Sequence, residues 1–245
     1  MPRKSGIVLF QELDGAQSLR LPQGWKLVAV VNEDNMTYVA FNTATHEGIV
    51  VDPMKEDWNH LLKVTQESGV KRWIAVIDTH THADHISCAA DLAEELGTSL
   101  LMSEAAPGTR AHLRVSLDTQ IPTQASPLEI LMTPGHTPDG ITVIWGPFLF
   151  TGDTILHGDT GRDDLPGGDP VEHYESLVAI KKAAKPQHIF LPGHDSQGGR
   201  VTSWADQMKL NPSLTQQREV FIKEAGEFRA PAPKNLKESL FENMK

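Results

Sequence analysis

The sequence is short of two kinds of residue, and each shortage excludes a class of protein. Among 245 residues there is a single cysteine, Cys88, which excludes an internal disulfide framework and a cysteine-rich zinc module. Basic residues are outnumbered, with 22 Lys+Arg against 32 Asp+Glu and a formal net charge of −10. This balance does not provide the basic face that binds nucleic acid or an anionic membrane, so we expect a small-molecule substrate instead.

Long hydrophobic runs are also missing. Residues 7–10 form a short apolar stretch that polar residues 11–17 follow at once, whereas a secretory signal needs roughly 7–15 apolar residues. No window approaches the roughly 20 apolar residues of a membrane helix. We therefore expect a cytoplasmic protein with one domain over residues 1–245, an N-terminal extension (1–26) and a C-terminal helical tail (202–245). A homodimer is left open.

Short apolar segments separated by turn signals predict a strand-rich first half, followed by strands interleaved with helices. The predicted strands are residues 7–10, 27–31, 37–42, 48–51, 71–78, 99–102, 128–132, 142–145, 148–151 and 188–191. The predicted helices are 57–68, 87–96, 171–184 and 202–217, the last with a break at Asn211-Pro212, and residues 238–245 read as solvated surface. This order of elements predicts two sheets with helices outside.

Histidine is abundant, with eleven residues, and several of them follow predicted strands. Strands that end at the same edge of a sheet bring their last residues together, so ligands distant in sequence can converge there. Gly135, Gly152 and Gly193 each precede a candidate ligand and permit a close approach of the backbone. The candidates are His80, His82, Asp84 and His85 after one strand, and His136, Asp153 and His194 after three others.

The spacing His-x-His-x-Asp-His indicates a metal site. In an extended segment His80 and His82 point the same way and can reach one metal, while Asp84 and His85 can face a neighbouring position. Imidazole and carboxylate suit zinc, iron or manganese. Burying this cluster without a metal would cost several kcal/mol. We expect Cys88 to pack as a small apolar residue, and the remaining histidines to be ordinary polar residues: His46, His60, His112, His157, His173 and His188.

In combination these motifs resemble the metallo-β-lactamase superfamily. The resemblance runs from about Asp34 to Asn211, and residues 34–38 and 50–53 are similar to the hairpin that precedes the metal motif in the glyoxalase II-like branch. It implies an α/β fold, the αββα sandwich, in which two mixed β-sheets carry helices on their outer faces and the site lies at one rim.

The downstream segments 150–156, 161–165, 194–203 and 210–214 are more similar to persulfide dioxygenases than to glyoxalase II. The resemblance implies a mononuclear Fe(II) enzyme that oxidises a thiol persulfide, such as glutathione persulfide, with O2 to sulfite and thiol. His80, His136 and Asp153 match the ligands of a single Fe(II), two histidines and one carboxylate. The candidate catalytic residues that would orient ligands and water are Asp84, His85 and His194, together with His82; Thr151 and Arg162 match substrate positions, and Tyr174 either lines the pocket or packs.

Three residues depart from the persulfide dioxygenase pattern. Asp163, Leu165 and Ser196 stand where that family has Thr, Phe and Tyr. The neighbouring loop is acidic, with Asp159, Asp163, Asp164 and Asp169. We expect this charge to repel the carboxylates of glutathione unless Arg162 or Arg200 compensates.

Two other interpretations stay open. In the first, the chain is a dinuclear zinc hydrolase of a thioester (similar to hydroxyacylglutathione hydrolase), a lactone or a related ester. The hydrolases of the superfamily imply one zinc on His80, His82 and His136, a second on Asp84, His85 and His194, and Asp153 as the bridge. Metal-bound water, its pKa lowered to about 7, would be the nucleophile. In the second, the chain is a non-catalytic member that binds a partner or senses redox state; the complete ligand set argues against it.

Overall fold

Two mixed β-sheets form the centre of the molecule. The computed structural model describes residues 5–108, 110–197, 199–227 and 231–245, and the elements below are those of the described residues. The first sheet has the order β1 (Gly6–Leu9), β2 (Trp25–Asn32), β3 (Asn35–Asn42), β4 (Glu47–Val51), β5 (Arg72–Ile77), β6 (Leu100–Ser103) and β7 (Leu113–Val115). The second has β8 (Thr119–Ile121), β9 (Leu128–Met132), β10 (Ile141–Trp145), β11 (Phe148–Gly152), β12 (Ile189–Pro192) and β13 (Thr202–Ser203), in sequence order across the sheet.

Helices cover the outer faces of both sheets. They are α1 (Trp58–Glu67), α2 (Ala89–Glu95), α3 (Pro170–Ala183), α4 (Trp204–Leu210), α5 (Arg218–Glu227) and α6 (Leu236–Asn243). Buried side chains of α1 and α2 pack on the first sheet, those of α3 and α4 pack on the second, and α5 packs on α3. Within the described parts of the chain, no helix has the length and apolar character needed to cross a membrane.

Alternation along the strands explains why both faces of the first sheet are buried. In β5, Ala75 and Ile77 point into the layer between the two sheets, while Val76 points outward to α1 and α2. All three side chains are fully buried. A strand that is buried on both faces has a continuous run of apolar residues, and this run is the pattern that predicted β5 from the sequence.

The structure confirms the predicted αββα sandwich. All ten predicted strands are present with ends within two residues of the expected ones, and α1 to α4 coincide with the predicted helices. Three short strands were missed, β7, β8 and β13, as were α5 and α6. The prediction of a solvated tail is wrong for Asn243, which hydrogen-bonds to the backbone of residues 82–87.

The candidate ligands emerge where four strands end. β5, β9, β11 and β12 run in directions that bring their carboxyl ends to one rim, with β11 and β12 paired in parallel. Hydrogen bonds across the rim join the two sheets, from the Ile141 amide to the Thr79 carbonyl at 2.8 Å and from the Met36 amide to the Gly193 carbonyl at 2.9 Å. The rim therefore has a fixed geometry before any ligand binds.

Candidate metal centre

Three side chains at the rim, called the first trio below, point ligand atoms at one another. They are His80, His136 and Asp153, and their ligand atoms all lie within 4.8 Å of each other. The Asp153 Oδ2 atom is 3.9 Å from His80 Nε2 and 3.6 Å from His136 Nε2. In the sequence these residues follow three different strands, β5, β9 and β11, and the fold brings them together.

Neutral hydrogen-bond partners fix which nitrogen of each histidine in the first trio carries the proton. The Thr79 hydroxyl donates to Asp52 Oδ2 at 2.9 Å, so it accepts from His80 Nδ1 at 3.0 Å. The Arg162 carbonyl, which can only accept, contacts His136 Nδ1. Both Nδ1 atoms are therefore protonated, and both Nε2 atoms present a lone pair toward Asp153.

Glycines allow the backbone to approach this trio. Gly152 has φ +49, and a Cβ atom there would lie 2.4 Å from the Thr79 hydroxyl. A Cβ atom on Gly193 would lie 2.5 Å from Asp153 Oδ1. The sequence-based expectation of close approach at these glycines is confirmed, since any side chain would displace Thr79 or Asp153.

A second trio, His82, Asp84 and His85, lies beside the first, with its own ligand atoms within 4.8 Å. The ring centroids of His80 and His82 are 4.3 Å apart, and those of His82 and His85 are 4.2 Å apart. His82 Nδ1 and His85 Nε2 are buried without any hydrogen-bond partner among the described residues. Two orphaned imidazole nitrogens in a buried site are costly unless a cation binds there.

His194 connects the two trios. Its Nδ1 is 2.8 Å from Asp153 Oδ1, and its Nε2 is 3.1 Å from Asp84 Oδ2. Burial opposes the charged imidazole, but the two carboxylates raise the His194 pKa well above its usual value. Without a metal ion, His194 is thus a cationic link between two anions.

The electrostatics of the first trio favour metal binding. Burial, with the nearby His82, lowers the His80 pKa to about 3, and burial likewise lowers the His136 pKa. Burial opposes ionisation of Asp153, yet His194 and the other imidazoles hold its pKa below the usual range. Neutral imidazoles and an ionised carboxylate are the forms that bind a metal ion. The donor set of two nitrogens and one oxygen fits iron or zinc.

His82 behaves differently from His80. Its Nε2 is 3.2 Å from Asp52 Oδ1, and burial is outweighed by Asp52, which raises the His82 pKa to about 9. The Asp52 carboxylate also accepts from the Thr79 amide at 2.7 Å. Asp52 therefore orients His80, through Thr79, and His82 directly.

Sequence reasoning missed two aspartates that hold the ligand loop. Asp52 was seen only as part of a hairpin motif, although its position at the end of β4 beside β5 was a usable signal. Asp139 Oδ2 accepts from the Thr81 amide at 2.9 Å and from the Thr81 hydroxyl at 2.5 Å. Nothing in the sequence around Asp139 pairs it with Thr81, because the two residues are 58 positions apart.

The candidate substrate residues have internal partners. The buried Thr151 hydroxyl donates to the Ile155 carbonyl at 2.9 Å. The Arg162 guanidinium binds both Asp164 oxygens, at 2.6 and 2.8 Å, and the Pro231 carbonyl at 2.7 Å. The Tyr174 ring packs 5.8 Å from Phe221 in the layer between α3 and α5. These contacts make Tyr174 a packing residue in this structure.

Three of the four carboxylates in the acidic loop are used inside the protein. Asp163 is buried and its Oδ2 lies 3.4 Å from Nδ1 of the buried His173. Asp164 pairs with Arg162, and Asp169 caps α3 by accepting from two backbone amides. Arg200 is likewise engaged, with Asp195. The loop therefore repels anions less than its composition indicated.

Cys88 and the other histidines behave as expected. Burial and the nearby Asp78 and Asp91 raise the Cys88 pKa, so the thiol is protonated and its side chain packs with α1 and α2. Most of these histidines bond to backbone groups, as His173 Nε2 does with the Thr154 carbonyl at 2.8 Å. His173 is thus a support of the rim rather than a ligand.

The family follows from fold, site and sequence together. A family model described as the metallo-beta-lactamase superfamily matches residues 48–194. The chain belongs to this superfamily, and the resemblance drawn from the ligand motif is confirmed.

Relatives of two kinds are found. The mitochondrial persulfide dioxygenase ETHE1 of Homo sapiens is 28% identical over 211 residues, covering 85% of this chain and 83% of that protein. A hydroxyacylglutathione hydrolase of Anaeromyxobacter dehalogenans is 32% identical over 168 residues, covering 66% of this chain and 62% of that protein. The crystal structure of ETHE1 from Myxococcus xanthus superposes with a TM-score of 0.81 at 28% identity, over 89% of this chain and 97% of the other. The relatives of this chain, a member of a metal-dependent enzyme superfamily, thus include both persulfide dioxygenases and hydrolases.

Proposed function

We propose that the protein is a mononuclear Fe(II) persulfide dioxygenase. The reaction converts a persulfide RSSH with O2 and water into the thiol RSH, sulfite and two protons. The observation that carries the proposal is the contrast between the trios: the first presents two lone pairs and a carboxylate oxygen to one point, whereas in the second the carboxylate already accepts from two histidines. The similarity to persulfide dioxygenases in sequence and structure supports the same function.

His80, His136 and Asp153 would hold the iron. A ferrous ion held by two histidines and one carboxylate would supply the activation of dioxygen. The protein provides the orientation of these ligands: Thr79 and Asp52 fix the His80 ring, and the Arg162 carbonyl fixes the His136 ring. His194, bonded to Asp153 and Asp84, would hold a proton beside the first trio.

The thiol carrier is proposed to be glutathione or a similar anionic thiol. The acids Asp163, Asp164 and Asp169 are paired or capping, which lowers the repulsion of a carboxylate. Arg162, which matches a substrate position of the persulfide dioxygenases, would attract that carboxylate while it stays paired with Asp164. Cytoplasmic location is part of the proposal and accords with a free, buried cysteine.

The test combines metal analysis with oxygen consumption. We expect anaerobically purified protein to contain one iron per chain, and to consume one O2 per glutathione persulfide with formation of sulfite. A protein that contains only zinc and forms sulfite from glutathione persulfide at the full rate under argon would contradict the proposal.

A dinuclear zinc hydrolase of a thioester is the second candidate. The orphaned nitrogens of His82 and His85 favour it, as does the hydroxyacylglutathione hydrolase relative. Two zinc ions would supply an activated water nucleophile. Two zinc ions per chain, with hydrolysis of S-lactoylglutathione in the absence of oxygen, would establish this function in place of the first.

A further inference from the structure

The last helix of the chain reaches the ligand loop. Asn243, the final residue of α6, binds three backbone groups of residues 82–87 with its side-chain amide. Its Nδ2 donates to the His82 carbonyl at 2.9 Å and to the His85 carbonyl at 2.8 Å, and its Oδ1 accepts from the Ser87 amide at 2.9 Å. Every strong hydrogen-bonding site of this amide is thereby directed at the loop.

These contacts act on a segment that has no helix or strand of its own. Residues 78–86 lie between β5 and α2, so their backbone groups need partners from elsewhere. Aspartates anchor the first half, Asp52 at Thr79 and Asp139 at Thr81. Beyond Thr81, the amide of Asn243 spans the two carbonyls that flank Asp84.

A planar amide that binds both carbonyls fixes the distance between them. The side chains of His82 and His85 start from the same residues, and their orphaned nitrogens depend on where this backbone lies. The packing at the helix end is close, since a Cβ atom on Gly108 would lie 3.0 Å from the Asn243 carbonyl oxygen. The end of α6 is therefore held on one side by the ligand loop and on the other by the segment at Gly108.

We propose that Asn243 is a positioning residue for the metal site, through which α6 sets the placement of His82, Asp84 and His85. The inference rests on the proposed function in one respect: a metal ion must bind at the rim, where His82, Asp84 and His85 either lie beside the ligands of the first trio or hold a second ion. Residues that orient metal ligands without touching the ion change metal affinity by about 10–100-fold when they are removed.

The chain offers a matched control on the same helix. Asn235, at the other end of α6, is exposed and its side chain makes no capping hydrogen bond. Asn243→Asp keeps an oxygen for the Ser87 amide but removes both donors, and Asn243→Ala removes all three contacts. Asn235→Ala changes the same residue type without touching the loop.

The experiment measures Co(II) binding to the full-length protein by chelator competition, without substrate. We expect Asn243→Asp and Asn243→Ala to bind Co(II) about 10–100-fold more weakly than the parent, with an altered visible spectrum, and Asn235→Ala to match the parent. Equal affinity in all four proteins would overturn the inference. Parent protein that binds Co(II) but has no oxygenase activity when it is loaded with Fe(II) would refute the proposed function and leave this inference standing.

Hydrogen exchange on the unchanged protein covers the case in which the Asn243 variants do not fold. Coupling between two sites is reciprocal, so a metal ion that depends on α6 must also stabilise α6. Co(II) is expected to slow amide exchange both in residues 82–87 and in the last turn of α6. Protection of the loop with no change in α6 would overturn the inference.

Discussion

The two trios at the rim contain the same kinds of side chain and are held in opposite ways. In the first, uncharged partners (a hydroxyl and a carbonyl) hold the far side of each imidazole, and the ligand atoms stay available. In the second, Asp84 is engaged by His85 and His194, and two ring nitrogens have no partner. A site preorganised for a cation keeps its ligand atoms available, which is why we propose the first trio as the iron site.

The comparison also explains why the family supports two chemistries. Releasing His194 from Asp153 and Asp84 would free ligand atoms on three residues for a second metal ion. In the mononuclear proposal the His194 imidazolium occupies the space between the two carboxylates, whereas in the dinuclear alternative a second cation would occupy it. Substitutions of Asp153 and of Asp84, the two carboxylates that His194 contacts, distinguish these possibilities.

The largest effect is expected for Asp153→Ala. This change removes the carboxylate of the first trio and one of the two anions that hold His194. Iron content should fall from one per chain to a trace, and oxygen consumption by at least about 1,000-fold, or about 4 kcal/mol. Metal analysis and an oxygen electrode give both values. The control is Asp159→Ala, an exposed aspartate outside both trios; retention of iron by Asp153→Ala would overturn the ranking of the trios.

Asp84→Asn is expected to have a smaller effect. Asp84 belongs to the second trio, so the mononuclear proposal predicts that one iron is retained. Activity should fall by about 10–100-fold, because Asn cannot balance the charge of His194 as a carboxylate does. If Asp84→Asn loses metal as completely as Asp153→Ala, the two positions are equivalent and the dinuclear interpretation is favoured.

The contrast between the trios was only partly visible in the sequence. Ligand identities could be predicted because His80, Asp153 and His194 each follow an apolar strand, and strand direction places them at one rim. The hydrogen bonds that distinguish the trios could not, since Asp139 and Asn243 reach the loop from remote positions. α6 itself was missed because its sequence is charged and mostly exposed, with few residues that report packing.

Asp163 supports the first trio indirectly, and we expect its replacement to have a smaller effect on the protein than the loss of a ligand. Asp163 follows Arg162, whose carbonyl holds His136, and it faces His173, which bonds the Thr154 carbonyl next to Asp153. Asp163→Ala removes the contact with the buried His173 ring and should lower the free energy of unfolding by about 1–2 kcal/mol. Asp163→Asn keeps an oxygen and should lose less. Urea unfolding of the two variants tests the order, and equal losses would contradict it, because the Asn oxygen would then not replace the carboxylate.

The smallest effect is expected for a histidine at the opposite end of the sheet. This histidine, His188, lies outside both trios and serves as a comparison for the histidines in them. His188 precedes β12, whereas His194 follows it. Burial and the neighbouring Lys185 lower the His188 pKa from 6.5 to about 4. Its Nδ1 accepts from the Lys185 amide, a bond that protonation would remove.

Because the folded state binds fewer protons at His188 than the unfolded state between pH 4 and 6.5, this contribution to stability is present above pH 6.5 and is lost as the pH falls. His188→Asn keeps an acceptor for the Lys185 amide but cannot titrate. Between pH 7 and 4.5 the metal-free parent should lose about 1 kcal/mol more of its unfolding free energy than His188→Asn. The rim histidines are the same in both proteins, so their contributions cancel in this difference. Identical pH slopes in urea unfolding would show that His188 does not contribute to the acid sensitivity of the protein.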